Sequence, residues 1–301
     1  MIEKLKPAIN FLKGMVIGVS NLIPGVSGGT MALVMGIYER LVEAIGEFLT
    51  NKKRRKEFFL FLLPVILGAA AGILLFARVF NFLLSSPVYS QPTYFFFIGL
   101  ILGSVPFLVT VHHDMKIRPA RAVFFLIGLG LVVSLAFLVG RDNAVGSFRV
   151  YYSIMDVINI AGIDWKYALW LFFCGVLTSS AMVIPGVSGS ALLLGLGEYR
   201  NILYFVSELM AVQLAVFGIG VIAGIIACAR LIDFCLKRFP ANTYYFIMGL
   251  VIASVFQIVM QSLEGFSLSP LPVALSILAM AAGFALTYSL SRVKKKDKPA
   301  G

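Results

Sequence analysis

Ionisable side chains are scarce in this chain: Asp, Glu, Lys and Arg make up 13% of its 301 residues, while 60% are hydrophobic. Soluble domains carry about 25% charged and about 45–50% apolar residues. The shortfall excludes an ordinary soluble fold, because the long apolar runs would need a core larger than a chain of this length can build. Histidine is limited to the adjacent pair His112 and His113, at the edge of a basic loop. That pair offers no imidazole cluster for a metal ion. Cysteine is limited to Cys174, Cys228 and Cys235, all inside apolar runs and without CxxC spacing. They read as small packing residues, with no disulfide framework and no metal site. No P-loop or ATPase motif occurs, so no cofactor is expected and any transport would be secondary.

What the chain has in abundance is apolar segments, near 8–23, 29–48, 58–84, 93–111, 121–140, 167–184, 189–207, 211–236, 243–261 and 271–290. The expected fold is an all-α polytopic membrane protein. The net charge of +11 sits in short loops and near residue 295, the pattern of cytoplasmic anchoring rather than of a nucleic-acid-binding face. "KKRRK" at 52–56, "HHDMKIRPAR" at 112–121, "KRFP" at 237–240 and "VKKKDK" at 293–298 are expected inside. "SSPVYSQP" at 85–92, the mixed stretch 141–166 and "SLEGFSLSP" at 262–270 are expected outside, with both termini cytoplasmic and no cleaved signal peptide.

One turn occurs twice. "NLIPGVSGGTMALVMGIYERL" begins at Asn21 and "MVIPGVSGSALLLGLGEYRNI" begins at Met182, an offset of 161 that also pairs Gly14 with Gly175, Gly36 with Gly197 and Tyr38 with Tyr199. "GILLFAR" at 72–78 parallels "GIIACAR" at 224–230, and "TYFFFIGLILGS" at 93–104 parallels "TYYFIMGLVIAS" at 243–254. The chain therefore divides into a first repeat over 1–140, an external connecting segment over 141–166, a second repeat over 167–292 and a basic cytoplasmic tail over 293–301. The first PGVSG hairpin starts from inside and the second from outside, so the repeats are expected to be inverted. Each would hold a Pro/Gly-broken re-entrant helical hairpin, as segment 8–23 is short for a hydrocarbon core of about 30 Å, plus about three transmembrane helices; a tight, fully spanning pair is the alternative to the hairpin. Inverted repeats with broken helices place a substrate site where the halves meet.

The turn chemistry suggests what would bind there. Pro stops a helix and Gly permits unusual backbone angles. A helix restarting after the turn presents unpaired N–H groups with partial positive charge, suited to an anion such as a phosphate. The expected head-group residues are Pro24, Gly25, Val26, Ser27, Gly28, Gly29 and Thr30 in the first turn, and Pro185, Gly186, Val187, Ser188, Gly189 and Ser190 in the second. Arg78 and Arg230 add a guanidinium near each membrane face, able to fork onto phosphate; snorkelling to the interface is the competing explanation. Glu39, Arg40, Glu198, Arg200 and Lys13 are candidates for coupling or gating. Local ion pairs, and snorkelling for Lys13, are the plainer readings.

Enzymatic readings fit poorly. "GVSG" at 25–28 and 186–189 imitates the serine motif of rhomboid intramembrane proteases, but one His pair cannot serve two serines on opposite membrane faces. A lipid phosphatase would need a nucleophilic His or a metal cluster. The paired "NLIPGVSGGTMA" and "MVIPGVSGSALL" resemble the polyprenyl-phosphate transporter (PopT) family over roughly 8–290. The resemblance implies a flippase of the bacterial cytoplasmic membrane that returns undecaprenyl phosphate from the outer to the cytoplasmic leaflet for envelope polymer synthesis. It also implies a re-entrant architecture similar to that of DedA-type lipid transporters. The expected partners are polyprenyl phosphate and membrane lipids, with a proton or sodium as candidate coupling ion and no oligomeric state specified. The residues alone reach only an inverted-repeat secondary transporter of an anion. A transporter or channel for a small soluble anion and a non-transporting membrane scaffold stay open beside the lipid. The repeats depart from each other where Asn21 becomes Met182 and Gly29 becomes Ser190.

Overall fold

Long apolar runs punctuated by Pro and Gly leave the backbone one way to satisfy its hydrogen bonds locally, the α-helix. The computed structural model describes residues 2–21, 26–84, 86–110, 116, 118–142, 165–207, 210–263 and 266–296. Among these, all regular structure is helical. The helices are α1 (Ile2–Ser20), α2 (Gly28–Val34), α3 (Tyr38–Glu47), α4 (Arg55–Leu84), α5 (Pro87–Thr110) and α6 (Pro119–Asp142). They are followed by α7 (Trp165–Val183), α8 (Gly189–Gly195), α9 (Tyr199–Ser207), α10 (Ala211–Arg238), α11 (Pro240–Leu263) and α12 (Pro270–Lys296). Four of them begin on proline, whose missing N–H and fixed φ suit the first helical position. Among the described residues, parts of α4, α5, α7, α10, α11 and α12 are long and apolar enough to cross a membrane, making this a multi-pass membrane protein. Their outer faces carry exposed side chains such as Leu74, Leu177, Ile222 and Leu278, which only lipid covers without cost.

The apolar runs 29–48 and 189–207 read as single segments, but each is two helices. Gly36 and Gly197 adopt left-handed φ values of 60° and 76° and end α2 and α8. The same pair of capping bonds closes both. Gly36 donates to Leu33 and Ile37 to Ala32, at 2.8 and 2.9 Å; Gly197 donates to Leu194 and Glu198 to Leu193, at 2.9 and 3.1 Å. This is the Schellman arrangement, for which glycine carries no Cβ penalty.

Helix order and length run twice through the chain, as 19, 7, 10, 30, 24 and 24 residues and then 19, 7, 9, 28, 24 and 27. Packing repeats with it. α1 lies along α4 and α7 along α10, while α5 packs on α12 and α6 on α11. The last two pairings exchange helices between the halves, so neither half is a separable unit.

Glycines set these four contacts. A Cβ on Gly68 would lie 2.0 Å from the Phe11 carbonyl oxygen, and one on Gly220 2.2 Å from that of Phe172. A Cβ on Gly99 would lie 2.1 Å from the Met280 oxygen, and one on Gly249 2.1 Å from that of Phe125. Backbones this close gain dispersion contacts that lipid cannot match. Overpacking such a site costs about 1–3 kcal/mol or more. Gly68→Val and Gly99→Val are therefore expected to lower the melting temperature in detergent markedly, whereas Gly130→Ala and Gly218→Ala, which meet nothing within 4 Å, should leave it nearly unchanged.

Candidate functional site

The two interrupted helices meet. In the first turn Ser27 is extended, with φ −99° and ψ 135°, and its hydroxyl caps α2 by accepting from the Gly29 amide at 3.2 Å. The Gly28 amide donates to Asn21 Oδ1 at 3.1 Å. Three further bonds cross to the second turn. Ser27 Oγ donates to the Ile184 carbonyl at 3.3 Å, Tyr38 Oη donates to the Val183 carbonyl at 3.2 Å, and the Gly186 amide donates to Thr30 Oγ1 at 2.8 Å. Gly186 has φ +82°, which favours glycine, and a Cβ there would strike the Leu250 carbonyl oxygen at 2.4 Å.

The two turns differ in openness, and the sequence differences between the repeats explain why. A Cβ on Gly29 would lie 2.9 Å from the Val183 oxygen, so the first turn needs glycine to approach the second. Its counterpart Ser190 points away, is exposed, and shares a 3.0 Å hydrogen bond with Ser188. Where Asn21 caps the first turn, Met182 offers no oxygen and packs beside Gly189. Val26 and Ser27 through Thr30 are buried. The hydroxyls of the first turn are thus committed to protein, and those of the second lie partly open. Pro185, Gly186, Val187 and Gly189 are buried, while Pro24 and Gly25 lie outside the described residues.

The structure does not gather the charged candidates around the turns. Arg230 Nε donates to the Gly46 carbonyl at 2.8 Å, capping the end of α3. Arg78 is exposed on α4, with no partner among the described residues, and Lys13 is half-buried on α1. Glu39 and Arg40 do not pair with each other. Glu39 accepts from the Tyr244 hydroxyl, and Arg40 reaches Glu57 at 3.4 Å and lies over the Phe61 ring. The expectation of a local ion pair missed this because adjacent residues on a helix point to different faces. Glu198 is buried, and its carboxylate accepts from Tyr167 Oη at 3.0 Å, Trp170 Nε1 at 2.9 Å and Asn201 Nδ2 at 2.9 Å. None of these three donors was legible as its partner, since two come from a helix about 30 residues earlier. The Arg200 side chain lies outside the described residues.

Two cavities lie apart from the turn residues. A polar one of about 660 Å³ is lined by Glu39, Arg40, Glu43, Arg54, Glu57, Asp233, Lys237 and Tyr244, among others. Arg54 pairs with Glu43 at 2.6 Å and Glu57 at 3.1 Å, and Lys237 bridges Glu47 at 2.6 Å and Asp233 at 2.7 Å. The Lys237 hydrogen bond, with help from Asn51, holds the Glu47 carboxyl below its ordinary 4.5. The other cavity, about 950 Å³, is an open apolar groove between α1, α4, α5 and α12. Its walls include Leu12, Val16, Phe76, Phe80, Phe96, Phe97, Leu278 and Leu286, and it reaches Met35 at the end of α2. Among the described residues no three His, Cys, Asp or Glu side chains converge as metal ligands.

Six long apolar helices among the described residues and two interrupted ones that meet define a helical multi-pass membrane protein. Residues 17–266 match the VCA0040-like family, described as undecaprenyl phosphate translocase-like, and the chain belongs to that family. It is 30% identical to a Staphylococcus aureus protein named polyprenyl-phosphate transporter, over 96% of this chain and 98% of that one. It is 26% identical to a Vibrio cholerae protein of the same name, over 81% of this chain and 75% of that one. No solved structure matches the chain.

Thr30→Val leaves the buried Gly186 amide without its acceptor, at a cost of about 1–3 kcal/mol. The expected result is a lower melting temperature for Thr30→Val and near-normal stability for Thr30→Ser. The depressed Glu47 pKa stabilises the α3–α10 contact fully above pH 4.5, and that contribution is lost as the pH falls through the lower folded value. Below pH 4.5 the wild-type melting temperature should fall more steeply than that of Lys237→Gln; superimposable pH curves would remove the linkage.

Proposed function

We propose that the protein is a secondary transporter that moves a polyprenyl phosphate, such as undecaprenyl phosphate, from the outer to the cytoplasmic leaflet of a bacterial cytoplasmic membrane. The observation that carries this reading is the apolar groove of about 950 Å³ that runs from Leu278 and Leu286 to Met35, at the end of the helix that follows the first turn. An isoprenoid tail suits such walls, and the family's translocase description supplies the phosphate. A small soluble anion would make no use of the apolar groove, and in the polar cavity it would meet Arg40, Arg54 and Lys237 already paired with carboxylates.

In this mechanism the halves are inverted repeats, both termini are cytoplasmic, and each PGVSG segment is a re-entrant hairpin. The head group meets the second turn first, because Ser188 and Ser190 are the hydroxyls within its reach in this conformation. The remaining residues of that turn, Pro185 to Gly189, set its backbone. The first turn, Pro24 to Thr30, takes over when the halves move and its bonds to 183–186 break. Arg78 and Arg230 assist capture and release. Glu39, Arg40, Glu198, Arg200 and Lys13 act in coupling or gating, Glu198 from its Tyr167–Trp170–Asn201 cradle. The lipid tail stays in the bilayer throughout, so only the head group is desolvated.

The test uses purified protein in vesicles that hold polyprenyl phosphate in the outer leaflet. Outer-leaflet phosphate accessible to an added phosphatase should decline faster than in protein-free vesicles, and equal rates would end the proposal. Hydrogen bonds to charged groups are worth about 1.5–3 kcal/mol, so Ser188→Ala/Ser190→Ala should slow the decline about tenfold or more. Stably folded Arg78→Ala/Arg230→Ala with wild-type rates would remove both arginines from capture and release, and wild-type protein that gives no decline above protein-free vesicles would favour a non-transporting scaffold.

A further inference from the structure

Close helix contacts set by glycine recur in both halves, and one extensive helix contact does not. The Gly68–Phe11 contact in the first half has its equal in Gly220–Phe172, Gly72–Met15 in Gly224–Val176, and Gly14–Val65 in Gly175–Phe217. Across the halves, Gly283–Phe96 corresponds to Gly128–Phe246. The exception is the short helix after each turn. α3 packs extensively on α10 of the other half, where Arg230 caps it through Gly46 and Lys237 pairs with Glu47. Its counterpart α9 makes no comparable packing against α4 among the described residues.

The unused surfaces are present on both partners. Val42 on α3 is 1% exposed; at the 161-residue offset its counterpart on α9 is Leu203, 52% exposed. Ile45 is half-buried against the core, and its counterpart Val206 is 53% exposed. Arg230 has its donor bond, whereas Arg78, its counterpart in the GILLFAR and GIIACAR blocks, is exposed without a partner among the described residues. Gly46 corresponds to Ser207.

We infer that the protein has a second conformation in which α9 docks on α4, with Arg78 donating to the carbonyl at the end of α9 as Arg230 donates to Gly46. Docking of α9 accompanies release of α3 from α10, so the two arginines cap the two short helices alternately. A guanidinium is suited to this, because it complements the negative end of a helix. The two docked states are unequal. Lys237 corresponds to position 85, a serine, so α4 offers no cation to match the Lys237–Glu47 bridge. The α3-docked state is therefore the resting one. The inference rests on the transport reading for its purpose, but its test does not need transport.

Ala77 corresponds to Ala229, whose backbone lies against Gly46, so Ala77→Cys and Ser207→Cys come within disulfide range only when α9 is docked. The pair is placed in protein whose Cys174, Cys228 and Cys235 are replaced by Ala, reconstituted in vesicles and oxidised with copper phenanthroline. An intramolecular cross-link is expected. Adding Arg78→Ala should cut its yield about tenfold, the effect of losing one charge-assisted hydrogen bond. Spin labels on the same two positions, read by pulsed electron resonance, provide a measurement that does not trap the state. Two separations are expected, the shorter one diminished by Arg78→Ala. No cross-link together with one long separation overturns the inference, as does a cross-link indifferent to Arg78. A cross-link in protein that moves no lipid supports the docking and counts against the transport reading instead.

Discussion

A helix broken inside hydrocarbon leaves N–H and C=O groups that lipid cannot satisfy, at several kcal/mol each. In this protein each break is satisfied by the other. Thr30 accepts from Gly186, and Ser27 and Tyr38 donate to Ile184 and Val183. Neither turn is therefore stable alone, and whatever separates them must offer replacement partners. Charged phosphate oxygens are strong acceptors, which is why an anion can take the place of these bonds where an apolar ligand cannot.

The scaffold holds the turns together through two kinds of glycine contact. Gly14, Gly68 and their counterparts lock each hairpin arm to a long helix of its own half. Gly99, Gly128 and their counterparts lock helices of opposite halves. Because α5 packs on α12 and α6 on α11, the two halves are held to each other through exchanged helices. Packed interfaces tend to be bistable rather than continuously deformable, so movement at such contacts favours a few discrete positions.

Much of this was legible in the sequence. Apolar runs gave the helices, and two PGVSG turns with matching flanks gave the duplication, because backbone breaks leave Pro and Gly that tolerate few substitutes. The splits at Gly36 and Gly197 were not legible, since a lone Gly inside an apolar run costs a helix only about 1 kcal/mol. Long-range partners were hidden for another reason. Glu198 is held by Tyr167 and Trp170, and Glu39 by Tyr244, which no local spacing encodes. The meeting of the turns likewise depends on tertiary packing. The departures of Gly29 to Ser190 and Asn21 to Met182 were visible as differences, but their meaning needed the geometry: Gly29 is buried against the second turn and Ser190 is exposed.

That inequality bears on direction. Identical turns in symmetric halves would present a head group with equal sites on both faces and no preferred resting state. Here the first turn is capped by Asn21 and Ser27 and buried, and α3 is held by Arg230 and Lys237 together. The second turn lacks the asparagine cap, its Ser188 is half-buried and hydrogen-bonded to Ser190, and Ser190 is exposed. On the proposed transport reading, with the loops oriented by their charge, the second turn is the one reached from outside, and its exposed Ser190 is where a head group would arrive. Because a ligand shifts an equilibrium only by its differential affinity for the two states, the head group must bind the first turn's site well enough to replace the bonds that close it.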